Sequence, residues 1–239
     1  MNVSFSGKVV LVAGGTGGLG HAASLAFLAD AAHVIVTYRR EEEFAALQNA
    51  AGADSAALEG HRTDITDEAA VAELVQQVLA RHRRLDAVVN TIGGYAGGIT
   101  LWELKTQVLE TMLSLNLRAG FTLAKAVLPA MLKQGHGSIV NVAAKAAFDH
   151  GAGAAAYAAS KAAAVALMDS LAADTKGTGV RVNSILPSII DTPANRKAMP
   201  GADFAAWPRP EDIAQVILFL SSDLANTIHG ASIPVYGNS

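Results

Sequence analysis

The chain has 239 residues, of which 51% are hydrophobic, and its formal net charge is -3. This length allows one large buried core, and the slight negative charge offers no basic surface for nucleic acid or for an anionic membrane. Cysteine is absent, which excludes disulfides, thiolate metal sites and a cysteine nucleophile. The seven histidines show no close spacing of the metal-ligand type, so we expect no metal site.

The ends and apolar segments of the chain predict a cytoplasmic location. Residues 1–15 lack the basic start and long apolar centre of a signal peptide. No later run reaches the roughly 18 uninterrupted apolar residues that a membrane span needs. The lack of cysteine suits a reducing compartment. We expect a soluble intracellular protein with no membrane or nucleic-acid partner.

Apolar segments of strand length alternate with longer helical patterns along the chain. The strand-sized segments are 8–13, 33–38, 56–62, 85–90, 137–143, 180–186 and 231–236. Amphipathic stretches at 67–83 and 111–134 are long enough to be crossover helices. This alternation predicts an α/β fold: one domain over 1–239 with a parallel sheet that carries helices on both faces. Ligands of such sheets bind beyond the carboxyl ends of the strands.

A proline-rich segment follows the sixth predicted strand, between Pro187 and Pro210. Long loops in compact domains usually cover or form a binding site. Residues 188–210 are therefore predicted to be a substrate loop or lid.

A glycine-rich turn follows the first predicted strand, with Gly14, Gly18 and Gly20 in the spacing G-x-x-x-G-x-G. Without side chains, the backbone N–H groups of such a turn can approach a pyrophosphate at the start of the next helix. The alternative is a tight turn whose glycines serve close packing. The position before a long helix favours a nucleotide-binding turn.

Two charged residues bear on which dinucleotide would bind. Asp64, after the third strand, can accept a hydrogen bond from an adenine amine; the alternative is helix-start chemistry, with Thr66 the better cap. Arg39 ends the second strand, where an acid usually meets a free ribose 2′-hydroxyl. A cation there favours NADP over NAD, unless Arg39 and Arg40 only match the acidic residues at 41–43.

Tyr157 and Lys161 are the bulky polar side chains of an alanine-rich segment, and they lie four residues apart. This spacing places both on one face of a helix. An ammonium group at that distance lowers the pKa of a phenol by favouring the phenolate, so Tyr157 is predicted to exchange a proton near neutral pH. The alternative is a packed tyrosine and a solvated lysine on an ordinary helix.

Together with Asp64, Asn90 and Asn116, these motifs resemble the short-chain dehydrogenase/reductase family across nearly the whole chain. The resemblance implies a single Rossmann domain with seven parallel strands. It also implies catalytic roles for Tyr157, Lys161 and Asn116, the last as the anchor of a proton-relay water at a helix irregularity. Ser188 stands where the family usually has glycine. The predicted cofactor-binding residues are Gly14, Thr16, Gly18, Leu19, Gly20, Tyr38, Arg39, Asp64, Ile65, Asn90, Gly93, Lys161, Pro187, Ile190 and Thr192.

The family normally carries a serine thirteen residues before the tyrosine, where it binds the substrate carbonyl. Here that position is Ala144, and Ala143 offers no hydroxyl either. Loss of such a donor typically costs about 3 kcal/mol of transition-state stabilisation. Three explanations are open: the substrate needs no such donor, Lys145 or a water replaces it, or the chain has lost catalysis.

The dihydropteridine reductase branch of the family also has alanine followed by lysine at this place. The chain resembles that branch at 93–98, 143–149 and 191–207. A quinonoid dihydropterin needs less polarisation than a ketone, and Tyr95 and Trp207 could provide flat faces for its ring. Asn116 and Arg39 depart from the branch.

The sequence thus predicts an NAD(P)H-dependent reductase of a small molecule, with dihydropteridine-reductase-like activity as its sharpest form. A ketoreductase is the second hypothesis, and a cofactor-binding sensor or scaffold without turnover is the third. The resemblance implies a homodimer or homotetramer formed through the helical segments 111–134 and 153–176.

Overall fold

A computed structural model describes residues 4–239 as one seven-stranded parallel sheet with helices on both faces. Each predicted strand is confirmed to within two residues at either end. The strands are β1 (Val9–Ala13), β2 (His33–Tyr38), β3 (Leu58–Arg62), β4 (Ala87–Asn90), β5 (Gly137–Val142), β6 (Val180–Pro187) and β7 (Ser232–Val235).

The strand order is β3-β2-β1-β4-β5-β6-β7, and all neighbouring pairs are parallel. From β1 the chain adds β2 and β3 toward one edge of the sheet, and from β4 it adds β5, β6 and β7 toward the other edge. At the carboxyl ends of these two strands, Ala13 lies opposite Asn90. The crevice at such a reversal is where doubly wound sheets bind ligands.

Within residues 4–239, eight α-helices and one π-helical turn connect the strands. They are α1 (Gly18–Ala29), α2 (Glu41–Ala51), α3 (Glu68–His82), α4 (Thr106–Leu113), the π-turn (Ser114–Arg118), α5 (Ala119–Gln134), α6 (Ala155–Asp174), α7 (Pro193–Ala198) and α8 (Pro210–Ser221). None of the helices within residues 4–239 combines the length and the apolarity that a bilayer crossing requires.

Alternate residues of each buried strand face two separate layers of the core. Val10 and Val12 of β1 pack with apolar residues of α1, α2 and α8. Val9 and Leu11 pack on the opposite face with residues of α3, α5 and α6. Because both faces are covered, the central strands are apolar throughout and not alternating.

Three local expectations need correction. The predicted helix 111–134 begins earlier, at Thr106, and is interrupted by the π-turn. The N-cap of α3 is Asp67 and not Thr66: the Asp67 carboxylate accepts hydrogen bonds from the N–H groups of Ala69 and Ala70. The proline-rich segment 188–210 is not all loop, because it contains α7 and a 3₁₀ turn.

Candidate active site

The glycine turn lies between β1 and α1 and is too crowded for side chains. Gly14 has a φ of +76°, which favours glycine. A Cβ at Gly20 would overlap the carbonyl oxygen of Gly14, and one at Gly18 would lie 3.0 Å from Cγ2 of Thr192. The side chains of Thr37 and Thr91 hold the turn, because Thr37 Oγ1 accepts from Gly14 N at 2.9 Å and Thr91 Oγ1 donates to Ala13 O at 2.7 Å.

The first turn of α1 leaves its backbone N–H groups available to a ligand. Gly17 is the N-cap and provides no side-chain hydrogen bond, and the first turn contains no acidic residue. A helix start of this kind attracts phosphate through its N–H groups and its partial positive charge. The predicted contact Leu19 is buried in the core, so only its backbone remains for such a contact.

A cleft of about 220 Å³ extends from the glycine turn across the ends of β2, β3 and β4. The predicted residues Gly14, Thr16, Tyr38, Arg39, Asp64, Ile65 and Gly93 all line it. It is also lined by Gly17, Thr37, Glu43, Thr63, Thr66, Thr91, Ile92 and Leu115. The residues present therefore fit a dinucleotide, because the cleft joins a turn without side chains to polar and charged groups at the strand ends.

Two neighbouring arginines at the rim of this cleft differ in their partners. Arg40 pairs with Glu42 and Glu43, as the solvated-pair alternative expected. Arg39 is exposed, and no carboxylate of residues 4–239 lies within ion-pair distance of it. Glu43 also accepts a hydrogen bond from Thr16 Oγ1 at 3.3 Å. Arg39 is thus the cation left free beside the cleft.

Asp64 is exposed and lines the cleft beyond the end of β3. Its Oδ1 accepts hydrogen bonds from the backbone N and the Oγ1 of Thr66, at 2.9 and 2.8 Å. These bonds, with a smaller effect of Arg39, lower the pKa of Asp64. The carboxylate is therefore ionised at neutral pH and accepts hydrogen bonds.

Tyr157 and Lys161 lie on successive turns of α6, as their spacing predicts, but the pKa of Tyr157 is not lowered. Burial, with a smaller effect of Tyr95, raises the pKa of Tyr157 to about 12. Lys161 is buried and donates to the carbonyl oxygen of Val142 at 3.0 Å. Burial lowers the pKa of Lys161 to about 8. The predicted lowering of the phenol pKa by Lys161 is therefore wrong, and Tyr157 holds its proton at neutral pH.

Asn116 lies in the π-turn, which is the helix irregularity that the resemblance implied. Its Oδ1 accepts from Gly94 N at 2.9 Å, and its Nδ2 donates to Ser160 Oγ at 2.9 Å. Ser160 in turn donates to the carbonyl oxygen of Tyr157 at 2.7 Å. The amide of Asn116 thus connects the loop after β4 to the helix that carries Tyr157.

Asn90 is buried at the end of β4 and pairs with a second asparagine. Its Nδ2 donates to Asn141 Oδ1 at 2.8 Å, and its Oδ1 accepts from Ile92 N at 3.2 Å. Asn90 therefore fixes the backbone that leads to Gly93. A Cβ at Gly93 would lie 3.0 Å from Asn116 Oδ1 and 3.1 Å from Lys161 Nζ.

The predicted substrate residues differ from one another in burial and in the groups that they contact. Ala144 is buried and offers no hydroxyl, while Lys145 Nζ lies 5.2 Å from the centre of the Tyr236 ring and 3.7 Å from Asp149. Tyr95 is 69% exposed, and its ring meets the ring of Tyr157 edge-on at 4.9 Å.

Trp207 does not form an open face. It is only 7% exposed and packs against Phe204 within the loop, at 5.0 Å between ring centres. The loop-packing alternative for Trp207 is therefore correct.

The segment after β6 approaches the glycine turn. Pro187 ends β6, and Thr192 caps α7 by accepting from Asn195 N at 3.2 Å. Ile190 O accepts from the side chain of Asn195 at 2.8 Å. Ser188, at the unusual position, donates to Tyr236 O at 2.7 Å and so attaches the segment to the chain end.

Sequence reasoning missed Ser160, Asn141 and Glu43. Ser160 directly follows residues 139–159, which contain no Ser or Thr, but nothing in its spacing indicates that it meets Asn116. Asn141 alternates with apolar residues in β5, and a polar residue in a buried strand was the available signal. Glu43 was read only as a partner of the arginines.

Comparison with known proteins agrees with this geometry. The sequence model of the short chain dehydrogenase family matches residues 8–202. This chain belongs to the short-chain dehydrogenase family. The 3-oxoacyl-(acyl-carrier-protein) reductase FabG of Thermotoga maritima is 31% identical over 97% of this chain and 97% of its own. The D-threitol dehydrogenase of Mycolicibacterium smegmatis is 35% identical over 97% of this chain and 92% of its own.

Among solved structures, ElxO with bound NADP superimposes with a TM-score of 0.91 and 26% identity, over 96% of this chain and 97% of that one. As a member of the short-chain dehydrogenase family with dehydrogenase and reductase relatives, the chain is an NAD(P)-dependent oxidoreductase that acts on a small molecule.

Proposed function

We propose that this short-chain dehydrogenase is an NADPH-dependent reductase whose best substrate is an activated conjugated ring of the dihydropterin type. The observation that carries this proposal is the surroundings of Tyr157. Its ring meets the exposed ring of Tyr95, whereas the position at which the family carries its serine is the buried Ala144. A flat ring is recognised by an aromatic side chain, whereas a ketone gains most from a hydroxyl donor.

Tyr157 acts as the proton donor in this proposal. A pKa of about 12 keeps the phenol protonated at neutral pH, and no residue in the range 4–239 forms a hydrogen bond with its hydroxyl. When bound, the nicotinamide supplies the hydride. Tyr157 delivers the proton to the reduced ring nitrogen, so that one hydride and one proton are added to a C=N bond.

Lys161 and Asn116 position the reacting groups. Lys161 Nζ lies beside Gly93 in the cleft wall and has N–H groups free beyond its bond to Val142. It would hold the ribose next to the nicotinamide. Asn116 fixes Gly94 and, through Ser160, the backbone of Tyr157, and this supports its role at a proton relay.

Arg39 supports the preference for NADP. A 2′-phosphate adds negative charge at the end of β2, where Arg39 has no carboxylate partner in the described chain and Glu43 is already neutralised by Arg40. The NADP in ElxO agrees with this preference. NAD remains the alternative cofactor.

A ketoreductase is the second candidate. FabG of Thermotoga maritima, a 3-oxoacyl reductase by name, favours it. Lys145 follows Ala144 directly and would replace the missing serine, because its ammonium group could move from Asp149 to a substrate carbonyl.

The segment 188–210 is proposed to cover the site, since Thr192 already lies against Gly18. We also propose that the chain works in the cytoplasm and forms a homodimer or homotetramer through α4, α5 and α6.

The test measures oxidation of NADPH with quinonoid dihydropterin and with a panel of small ketones. The proposal expects turnover of the dihydropterin at a kcat/KM at least tenfold above the best ketone. Tyr157→Phe should reduce kcat by about 10² to 10⁴-fold with nearly unchanged NADPH affinity. Tyr236→Phe, which removes a phenol hydroxyl elsewhere, is the matched control and should keep its turnover.

Faster turnover of a ketone that depends on Lys145 would establish the second candidate instead. Binding of NADPH without oxidation by any substrate would favour a sensor or scaffold. Normal turnover of Tyr157→Phe would contradict the role of Tyr157 in either reductase.

A further inference from the structure

A second group of chemically active side chains lies at the other end of the sheet. Glu59 lies on β3, His33 begins β2 and His82 ends α3. Both histidine Nε2 atoms lie 2.8 Å from the same oxygen, Oε1 of Glu59. The two imidazole rings are 4.3 Å apart between centres. Residues distant in sequence thus converge on one carboxylate oxygen.

This group is separate from the cofactor cleft. His33 is at the amino end of β2, whereas Tyr38 and Arg39, which line the cleft, are at and beyond the carboxyl end of the same strand. None of the three residues lines the cleft. The reductase chemistry therefore has no use for them.

The three side chains are sheltered from solvent but can still be reached. The exposed fractions of His33, Glu59 and His82 are 29%, 15% and 13%. Two further groups face Glu59: Arg81 Nε lies 3.1 Å from Oε1, and His61 Nε2 lies 3.8 Å from Oε2. His61 follows Glu59 by two residues on β3, so both side chains lie on one face of the strand.

We propose that His33, Glu59 and His82 bind a divalent transition-metal ion of the Zn²⁺ type. Two imidazole nitrogens and one carboxylate oxygen are a ligand set that zinc uses, and these three atoms lie within 4.8 Å of one another. The two Nε2 atoms converge on one carboxylate oxygen, so the three possible ligand atoms already surround a small common space. The sequence expectation of no metal site rested on spacing, and spacing does not show this convergence.

The geometry requires only a small adjustment. Tetrahedral bonds of about 2.0–2.1 Å place ligand atoms about 3.3 Å apart. Each Nε2 would move outward from Oε1 by roughly half an ångström, and the two Nε2 atoms, which lie within 4.8 Å of each other, would reach the same separation of about 3.3 Å. Each imidazole would carry its proton on Nδ1 and direct the Nε2 lone pair at the ion. Arg81 is 69% exposed and can turn into solvent, and His61 or a water completes the coordination.

Such an ion would stabilise the edge of the sheet. The strand β3 is at the edge and pairs only with β2 among the described strands. The ion would connect β3 to β2 and to the end of α3, so its binding should stabilise the fold without any contribution to the reduction itself.

Isothermal titration calorimetry of the untagged, metal-free protein with ZnCl₂ tests the proposal, beside thermal unfolding with and without Zn²⁺. We expect one ion per chain and a rise in Tm of about 5 °C or more at a free concentration 100-fold above Kd. MgCl₂ should produce no such rise, because imidazole is a poor ligand for that ion.

The variants His33→Asn and His82→Asn should each weaken Zn²⁺ binding at least tenfold and abolish the rise in Tm. His136→Asn removes a histidine outside the group and is the matched control. If a variant fails to fold, anomalous diffraction from wild-type crystals soaked in ZnCl₂ must show the ion between the three side chains. No binding, binding that survives His82→Asn, or anomalous density elsewhere would overturn the proposal.

Discussion

At the scale of single residues, burial acts on Tyr157 and Lys161 in opposite directions. It raises the pKa of the phenol to about 12 and lowers that of the ammonium to about 8. Both shifts favour the neutral form, because a low-dielectric interior disfavours charge. In the proposed reaction, Tyr157 is therefore set to donate a proton.

The first prediction concerns the stability of the fold between pH 8 and pH 10. The unfolded chain keeps Lys161 protonated up to its ordinary pKa of 10.5, whereas the folded chain loses that proton near pH 8. Since the unfolded state then binds more protons, this lysine makes the free energy of unfolding rise with pH in that window. Lys161→Met should lack this rise.

Urea unfolding of both proteins at several pH values measures the effect. Lys161→Arg, which retains the charge at every pH, is the control and should be less stable than Lys161→Met throughout. Parallel pH profiles of the wild type and Lys161→Met would contradict the lowered pKa.

The second prediction concerns Arg39 and the choice of cofactor. Arg39→Asp should shift the ratio of kcat/KM for NADPH over NADH toward NADH by at least tenfold, because the carboxylate repels a 2′-phosphate and accepts from a free hydroxyl. Steady-state kinetics with both cofactors measure this ratio. Arg40→Asp is the matched control. It should change the ratio less, because the charge of Arg40 is already paired with Glu42 and Glu43. An unchanged ratio in Arg39→Asp would show that Arg39 is only surface charge.

At the scale of elements, the π-turn between α4 and α5 explains how Asn116 reaches two neighbours. The extra residue in a π-turn rotates the side chains that follow it relative to a regular helix. Asn116 can then bond Gly94 on one side and Ser160 on the other. The amphipathic pattern predicted the helix but not the interruption, because periodicity changes little over one turn.

The third prediction tests the start of α3. The Asp67 carboxylate satisfies two N–H groups of its first turn, so Asp67→Ala should lower the free energy of unfolding by about 1 kcal/mol. For a chain of this size, Tm should fall by about 2–4 °C. Differential scanning calorimetry measures the change. Asp67→Asn, which preserves the cap, should retain most of the stability, and an equal loss in both variants would argue against capping.

At the scale of the whole molecule, exposed apolar residues accompany the proposed oligomer surface. Phe121 and Leu132 of α5 are 41% and 44% exposed. In the proposed assembly these are the apolar side chains of α5 that a second subunit would cover.

The fourth prediction follows from this surface. Phe121→Glu should shift the protein toward smaller species, because a carboxylate that replaces an apolar ring must lose its hydration when the interface forms. Light scattering after size-exclusion chromatography measures the mass. Gln48→Glu introduces the same charge on the exposed face of α2 and should leave the mass unchanged. A monomeric wild type would contradict the assembly itself.

The sequence by itself determined the succession of strands and helices along the chain, the single α/β domain and the family. Each of these depends on local pattern: apolar runs of strand length, a glycine turn before a helix, and a tyrosine and lysine four residues apart. These features arise from interactions between residues close together in the sequence, so the sequence alone is enough to predict them.

The tertiary structure alone decided which partners these residues meet. Lys161 donates a hydrogen bond to Val142, and Arg40 pairs with carboxylates whereas Arg39 does not. Trp207 is buried in the loop. The side chains of His33, Glu59 and His82 lie close together. The pKa shifts at Tyr157 and Lys161 belong here too, since they arise from burial. Burial and long-range pairing depend on how the sheet packs its helices, and no short stretch of sequence carries that information.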